Sequence, residues 1–394
     1  MSKKQKKKTI KKPNPFLYYL ACIVIAPFLK LRLHTSYDRS GIRNIKKPSI
    51  VVCPHVSNID FLLVAMALFP HRPTFVVSQH FMANPKLRRL LEMMHVISKK
   101  MFCPDVKTIL NIIRAKDSGN IIVLFPEGRL SCFGHSLQVT DGTAELIKKL
   151  GVNVYTICEN GAYKTLPKWG QAGLRPGRID ITSAKLIDAA DISHMSLEEI
   201  NAILDETILH DEDKLFTDVI YKCKAPALGL DGILYKCPEC LSEFDTISDD
   251  CTISCRRCGF RARLDQKYRL SGGPFERIND WFFWQESLIN LDIPLETDCL
   301  LGTTDAEGFM DRDAGKGHIT IDRDNIYFSG TCYGEPLEFT ESTSVVKGFP
   351  ASVGSHFDIY HKKQLYYIIP QPDPRTSIKW VSYLDKLTKE RDKK

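Results

Sequence analysis

The chain has 394 residues, enough for two or three domains. Its 43% hydrophobic and 26% charged content excludes a disordered or fibrous protein. The net charge of +7 is matched by seven lysines within residues 1–12, which hold no acid, so the remainder is balanced and no basic nucleic-acid-binding face is expected.

Residues 1–35 read as a basic tail and a short anchoring helix. The apolar run Phe16–Leu29 (FLYYLACIVIAPFL) makes a helix of about 21 Å, shorter than the roughly 30 Å hydrocarbon core of a bilayer, and Pro27 interrupts it. No stretch of about 18 apolar residues is free of charge, so no standard membrane-spanning helix is expected. Lysines beside an apolar segment carrying Tyr18 and Tyr19 predict an interfacial or re-entrant anchor on an anionic leaflet. A core helix behind a basic tail is one alternative. A signal peptide is another, although no small-x-small cleavage site follows.

Residues 36–225 alternate between strand and helix signals. Strands are expected at Ser49–Cys53, Thr74–Val77, Ile121–Phe125, Val154–Glu159 and Arg178–Thr182, with helices near 60–69, 86–94, 106–116, 140–150 and 197–209. Ser196 and Glu199 make a capping box for the last, and Asp117–Asn120 closes the helix before Ile121. Such alternation predicts an α/β layer fold with a mixed, largely parallel sheet and flanking helices.

Two stretches in this region carry chemistry. His55 and Asp60 follow a strand end and open an apolar helix. A carboxylate five residues on can hold one ring nitrogen and leave the other as a base. Further along, the buried strand from Ile121 runs directly into Phe125-Pro126-Glu127-Gly128-Arg129, which sets two charges at a strand's carboxyl end beside a glycine. By itself the His–Asp spacing is a weak signal, since a lone histidine near a helix start is more often structural.

At Cys237 the character changes. Cys237, Cys240, Cys255 and Cys258 form C-x2-C-x14-C-x2-C, the spacing of a zinc ribbon over residues 226–272, with structural Zn²⁺ on four thiolates. Cys251 falls inside the loop and is not expected to be a ligand, and the nearby arginines read as a solvated rim. The other cysteines are scattered, several in apolar contexts, which indicates reduced thiols and a reducing compartment.

Residues 273–394 form the last unit. An aromatic helix over 275–290 contains Trp281, Phe282 and Trp284, suited either to a membrane interface or to packing between domains. Short strands are expected at His318–Ile321, Ile326–Phe328, Leu337–Phe339, Ser344–Val346, Phe357–Tyr360 and Leu365–Ile369, with a closing helix at Trp380–Lys389. The strand count and the terminal helix resemble a PH- or GRAM-like module.

Taken together, the His55/Asp60 and Phe125–Ser131 stretches resemble the motifs of the lysophospholipid acyltransferase family, which includes the bacterial 1-acyl-glycerol-3-phosphate acyltransferases. Its hallmarks are Asn-His-x4-Asp and Phe-Pro-Glu-Gly-Thr-Arg-Ser. Val154–Gly161 and Arg175–Arg178 are similar to its later blocks. The resemblance implies that His55 is the general base oriented by Asp60. It also implies that Glu127, Gly128 and Arg129 shape the acceptor site, and that acyl-CoA or acyl carrier protein is the donor, with no acyl-enzyme.

This chain departs from the pattern in four places, one being that Val154–Gly161 lacks the usual proline of its block. Pro54 replaces the asparagine, Arg129 is displaced by one position, and the second block ends in Lys99 and Lys100 where the family has arginine. Lys100 is the better match. A lysine binds phosphate as a point charge rather than a fork. The expected reaction is O-acylation of a lysophospholipid, 1-acyl-sn-glycerol 3-phosphate giving phosphatidic acid, on the cytoplasmic face of a membrane, by a peripheral or monotopic protein. The alternatives are the same chemistry on glycerol 3-phosphate, another lysolipid or an aminolipid, or a catalytically silent lipid-binding scaffold.

Overall fold

The computed structural model describes residues 9–392; the tail lysines at 3, 4, 6, 7 and 8 lie outside them. The first helix, α1 (Pro15–Leu33), corrects the expectation of a fourteen-residue segment broken at Pro27 and too short to span. Its 19 residues extend about 28 Å at a rise of about 1.5 Å per residue, and by length and composition it can cross a bilayer. Pro27 removes only the bond to the carbonyl of Ile23, on the exposed side. Beyond it, Leu29 and Leu33 are buried and anchor the last turns, and left-handed His34 caps the end through Leu29.

A seven-stranded sheet follows, made of β1 (Thr35–Tyr37), β2 (Ser49–Val52), β3 (Thr74–Ser78), β4 (Ile97–Lys99), β5 (Ile121–Leu124), β6 (Asn153–Asn160) and β7 (Ile179–Ile187). Its spatial order is β1-β7-β6-β2-β5-β3-β4, and only the β6–β7 pair is antiparallel. β2 and β5 are central and wholly buried, which is why both read as continuous apolar runs rather than alternating ones. Helices α2 (Asp60–Ala67), α3 (Pro85–Met93), α4 (Val106–Asp117), α5 (Thr143–Leu150), α6 (Ala162–Thr165) and α7 (Leu197–Ile208) connect or flank the strands. The capping box at Ser196 and Glu199 is formed in both directions.

A small four-stranded antiparallel sheet, β8 (Thr246–Ser248), β9 (Thr252–Cys255), β10 (Arg261–Leu264) and β11 (Leu270–Ser271), carries the paired cysteines. It is not a free appendage. Ile253, Leu264 and Tyr268 belong to the same core as β2 and α2, and the Tyr268 hydroxyl donates to the Lys164 carbonyl at 2.7 Å while accepting from buried Arg175. Helix α8 (Ile278–Ser287) packs onto that core as well. Trp281 and Phe282 are buried, Phe282 stacks on Phe133 at 4.2 Å, and the Trp281 indole donates to the Lys236 carbonyl. Of the two readings of the aromatic helix, packing between units is the one observed.

The last unit is a second seven-stranded sheet, entirely antiparallel. It comprises β12 (Leu295–Thr304), β13 (Met310–Ile321), β14 (Asn325–Cys332), β15 (Glu335–Ser342), β16 (Ala351–Ser352), β17 (His356–His361) and β18 (Gln364–Pro370). The order β15-β14-β13-β12-β18-β17-β16 joins a four-strand meander to a three-strand one through β12 and β18. Helix α9 (Ser377–Asp392) covers it, with Trp380, Tyr383, Leu384 and Leu387 in its core. Ser344–Val346, expected as a strand, is a turn in which the amides of Val345 and Val346 return to the Ser342 carbonyl. Strand β12 escaped sequence reading because its first half alternates with Glu296 and Asp298 on the exposed face.

Candidate active site

The parallel register pairs Val52 of β2 with Leu124 of β5, so both strands end at the same edge of the sheet. Pro54 has no amide to continue the ladder, and the chain turns there. His55 and the Phe125–Ser131 segment therefore meet, although 72 residues separate His55 from Glu127. The His55 carbonyl accepts from the Ser131 amide at 2.9 Å, and its ring stacks on Phe125 at 4.4 Å.

Asp60 is the first residue of α2 and is fully buried. Its Oδ2 accepts from His55 Nδ1 at 3.0 Å and from the amides of Val56 and Ser57, each at 2.9 Å. One carboxylate oxygen thus shapes the turn and holds the imidazole by Nδ1–H, leaving Nε2 as the free basic atom. The His55 side chain is 25% exposed, enough for a substrate to reach it. Burial raises the Asp60 carboxyl above its usual range, while the bond to His55 and the two amides pull the other way.

Glu127 is buried behind the histidine. Its Oε1 accepts from the His55 amide at 2.6 Å and its Oε2 from the Leu137 amide at 2.5 Å, so both oxygens act as acceptors. Burial pushes its pKa from 4.5 to about 8, against those two bonds. Gly128 has φ +76°, and a Cβ there would lie 2.9 Å from Thr140 Cγ2 and 3.2 Å from the Phe102 ring, so only glycine fits without displacement.

The cationic residues are divided. Arg129 forms an ion pair with Asp385 of α9 and donates to the Phe349 carbonyl at 3.2 Å. Lys99 lines a cavity with Glu127 and Arg129, and burial lowers its pKa. The Lys100 ammonium points elsewhere, donating to the Lys363 carbonyl at 2.6 Å. The cavity is about 460 Å³ in volume, with Met101, Phe102 and Phe133 in its apolar wall; Val345, Lys347, Asp385 and Lys389 close the far side. His55 is not part of that wall and reaches it only through Glu127.

One residue escaped sequence reasoning. Glu159, on β6 beside β2, is fully buried and neither carboxylate oxygen has a partner. Burial first, and then the neighbouring Asp60, hold its pKa well above the carboxylate range. A buried carboxyl whose ionisation is disfavoured therefore backs the His–Asp pair. The visible signal was a glutamate, the one charged residue in the strand NVYTICEN.

At the small sheet, the four cysteine sulfurs converge. Cys237 and Cys258 are 3.6 Å apart and Cys240 and Cys255 3.7 Å, all within 4.8 Å of one another. A disulfide needs about 2.05 Å, whereas sulfurs at about 2.3 Å around a tetrahedral ion are roughly 3.8 Å apart. The cluster can hold a metal ion.

Residues 35–159 match the family model described as Acyltransferase. Among solved structures, the chain is similar to the 1-acyl-sn-glycerophosphate (LPA) acyltransferase PlsC from Thermotoga maritima. That similarity has 21% identity over 49% of this chain and 79% of that one, with a TM-score of 0.40. The family match makes the α/β unit an acyltransferase domain and the protein an acyltransferase.

Proposed function

We propose that this acyltransferase moves a fatty acyl group from acyl-CoA or acyl carrier protein to the free hydroxyl of a lysophospholipid, with 1-acyl-sn-glycerol 3-phosphate giving phosphatidic acid. The observation that carries the reading is His55 held at Nδ1 by buried Asp60 with Nε2 left free, its backbone amide bound by Glu127, which lines a cavity that also contains Lys99 and Arg129. Nε2 takes the hydroxyl proton as the oxygen attacks the thioester carbonyl, Asp60 stabilises the imidazolium, and the departing thiolate recovers that proton. Glu127 fixes the His55 backbone, Gly128 admits the close approach, and Lys99 and Arg129 meet the acceptor's phosphate. Lys100, the better match by sequence, is the weaker candidate because its ammonium faces the C-terminal unit.

His55→Ala is expected to lower kcat by roughly 10²- to 10⁴-fold with an unchanged circular dichroism spectrum. Near-normal turnover on lysophosphatidic acid would refute the mechanism. A silent scaffold has no need of an imidazole oriented in this way. The same chemistry on a different acceptor is the second reading, favoured by the engagement of Arg129 with Asp385, and a panel of acceptors with both donor types separates the two.

The four cysteines are read as a structural zinc site, supported by sulfur spacings suited to a tetrahedral ion; zinc lost in Cys237→Ser is the check. The order of the C-terminal sheet and its covering helix support the PH-like reading of that unit. Helix α1 supports attachment to a membrane, and the scattered unpaired thiols suit its cytoplasmic face.

A further inference from the structure

The face of β17 that meets the acyltransferase domain carries polar groups unrelated to either site above. His356 and Asp358 are two residues apart on one strand and so share a face; both are buried, at 2% and 4% exposure. Opposite them stands His80, in the turn Gln79–Ala83 that follows β3. His80 Nδ1 lies 3.2 Å from Asp358 Oδ2, and His356 Nε2 lies 3.5 Å from Asp358 Oδ1.

These contacts are not hydrogen bonds. His80 Nδ1, His356 Nε2 and Asp358 Oδ1 are all buried without a hydrogen-bonding partner. Three orphaned atoms at one point call for an explanation, because buried polar atoms are almost always paired. The tautomer also matters. The other nitrogen of His356, Nδ1, meets the Ser355 hydroxyl at 2.9 Å; when Nδ1–H donates to that oxygen, Nε2 keeps its lone pair toward His80 and Asp358. One ligand atom from each residue lies within 4.8 Å of the others. A tetrahedral ion with bonds of about 2.0–2.1 Å sets its ligands roughly 3.3 Å apart, close to the two spacings above.

We propose that His80, His356 and Asp358 form a second metal site for a divalent transition-metal ion, separate from the cysteine cluster and bridging the acyltransferase domain and the C-terminal sheet. Two imidazoles and one carboxylate are the donor set of zinc and of its first-row neighbours; calcium and magnesium prefer all-oxygen ligands. A fourth position remains for water. The site acts as a clamp, because its ligands come from both units and neither unit alone supplies all three.

The test uses the full-length protein incubated with Zn²⁺, desalted, and assayed for zinc by mass spectrometry. His80→Ala and His356→Ala should each retain one zinc fewer than the parent protein, whereas His80→Asp, which keeps a ligand atom, should restore the lost equivalent. Cys237→Ser combined with His80→Ala should lose the zinc of both sites. His80 is on a half-buried turn, so its alanine variant is the one least exposed to misfolding, and its circular dichroism spectrum should match the parent's. Zinc content in His80→Ala equal to the parent's overturns the site. So does a loss of zinc in His80→Ala that His80→Asp fails to restore.

Discussion

Glu127 is the residue whose chemistry is most exposed to test. Each of its oxygens accepts from a backbone amide, so protonation would aim an O–H at an N–H and release one of the two grips. Burial nevertheless raises its pKa to about 8. Acyl transfer should therefore rise with pH through about 8 as the doubly accepting carboxylate forms. In Glu127→Gln, where an NH₂ must face an amide, kcat should fall about 10- to 100-fold and this step should vanish. A pH–rate profile of both proteins decides it, and a step that persists in the glutamine variant assigns it to another group. The effect on stability has the opposite sign. The folded state binds this proton more tightly than the unfolded one. Its contribution is therefore full below about 4.5 and is lost as pH rises to about 8, a span worth on the order of 5 kcal/mol.

At the scale of the element, α9 does more than close the C-terminal sheet. It reaches the acyltransferase cavity and sets Asp385 on Arg129, the one arginine among the described residues that line it. A phosphate entering the cavity must displace or share that partner. Asp385→Asn should lower the KM for a phosphate-bearing acceptor several-fold, roughly 3- to 10-fold for about 1 kcal/mol of lost competition, with kcat little changed. A raised KM would instead mean that Asp385 orients the guanidinium for its ligand. Helix α1 teaches a different lesson. The hydrogen bond lost at Pro27 was legible as residue chemistry, but that the helix runs on through it depended on Leu29 and Leu33 finding a core.

Across the whole molecule, the three sheets are bound to one another by side chains that cross between them. Arg88 donates to the carbonyls of Glu307 and Gly308 and lies over Phe309, and Arg375 ties the start of α9 to the small sheet through Asp231 and the carbonyl of Thr246. Against this body, α1 presents Phe16, Ile23, Val24 and Leu31 to the outside at 65–77% exposure, and only 22% of its apolar window is buried. Such a face is suited to lipid. Ile23→Asp with Val24→Asp alters only exposed positions, so the fold should persist while binding to anionic vesicles falls at least about 10-fold, as two buried apolar side chains are replaced by charge. Undiminished co-sedimentation with vesicles would move the membrane contact away from α1.

Local spacing was enough for whatever depends on a few neighbouring residues. The strand–helix alternation of 36–225, the reach of Asp60 back to His55, the paired cysteine turns and the Ser196 capping box were all legible, because each is set by short-range geometry and by apolar periodicity. Register and docking were not. The β2–β5 pairing put Glu127 on the His55 amide, and α9 claimed Arg129. The C-terminal sheet drew Lys100 aside and brought His356 and Asp358 to His80. None of these pairs has a sequence spacing that announces it. Each is decided by where two faces, apolar for reasons of burial alone, come to rest against one another, and the polar groups at their borders take the partners that packing leaves them.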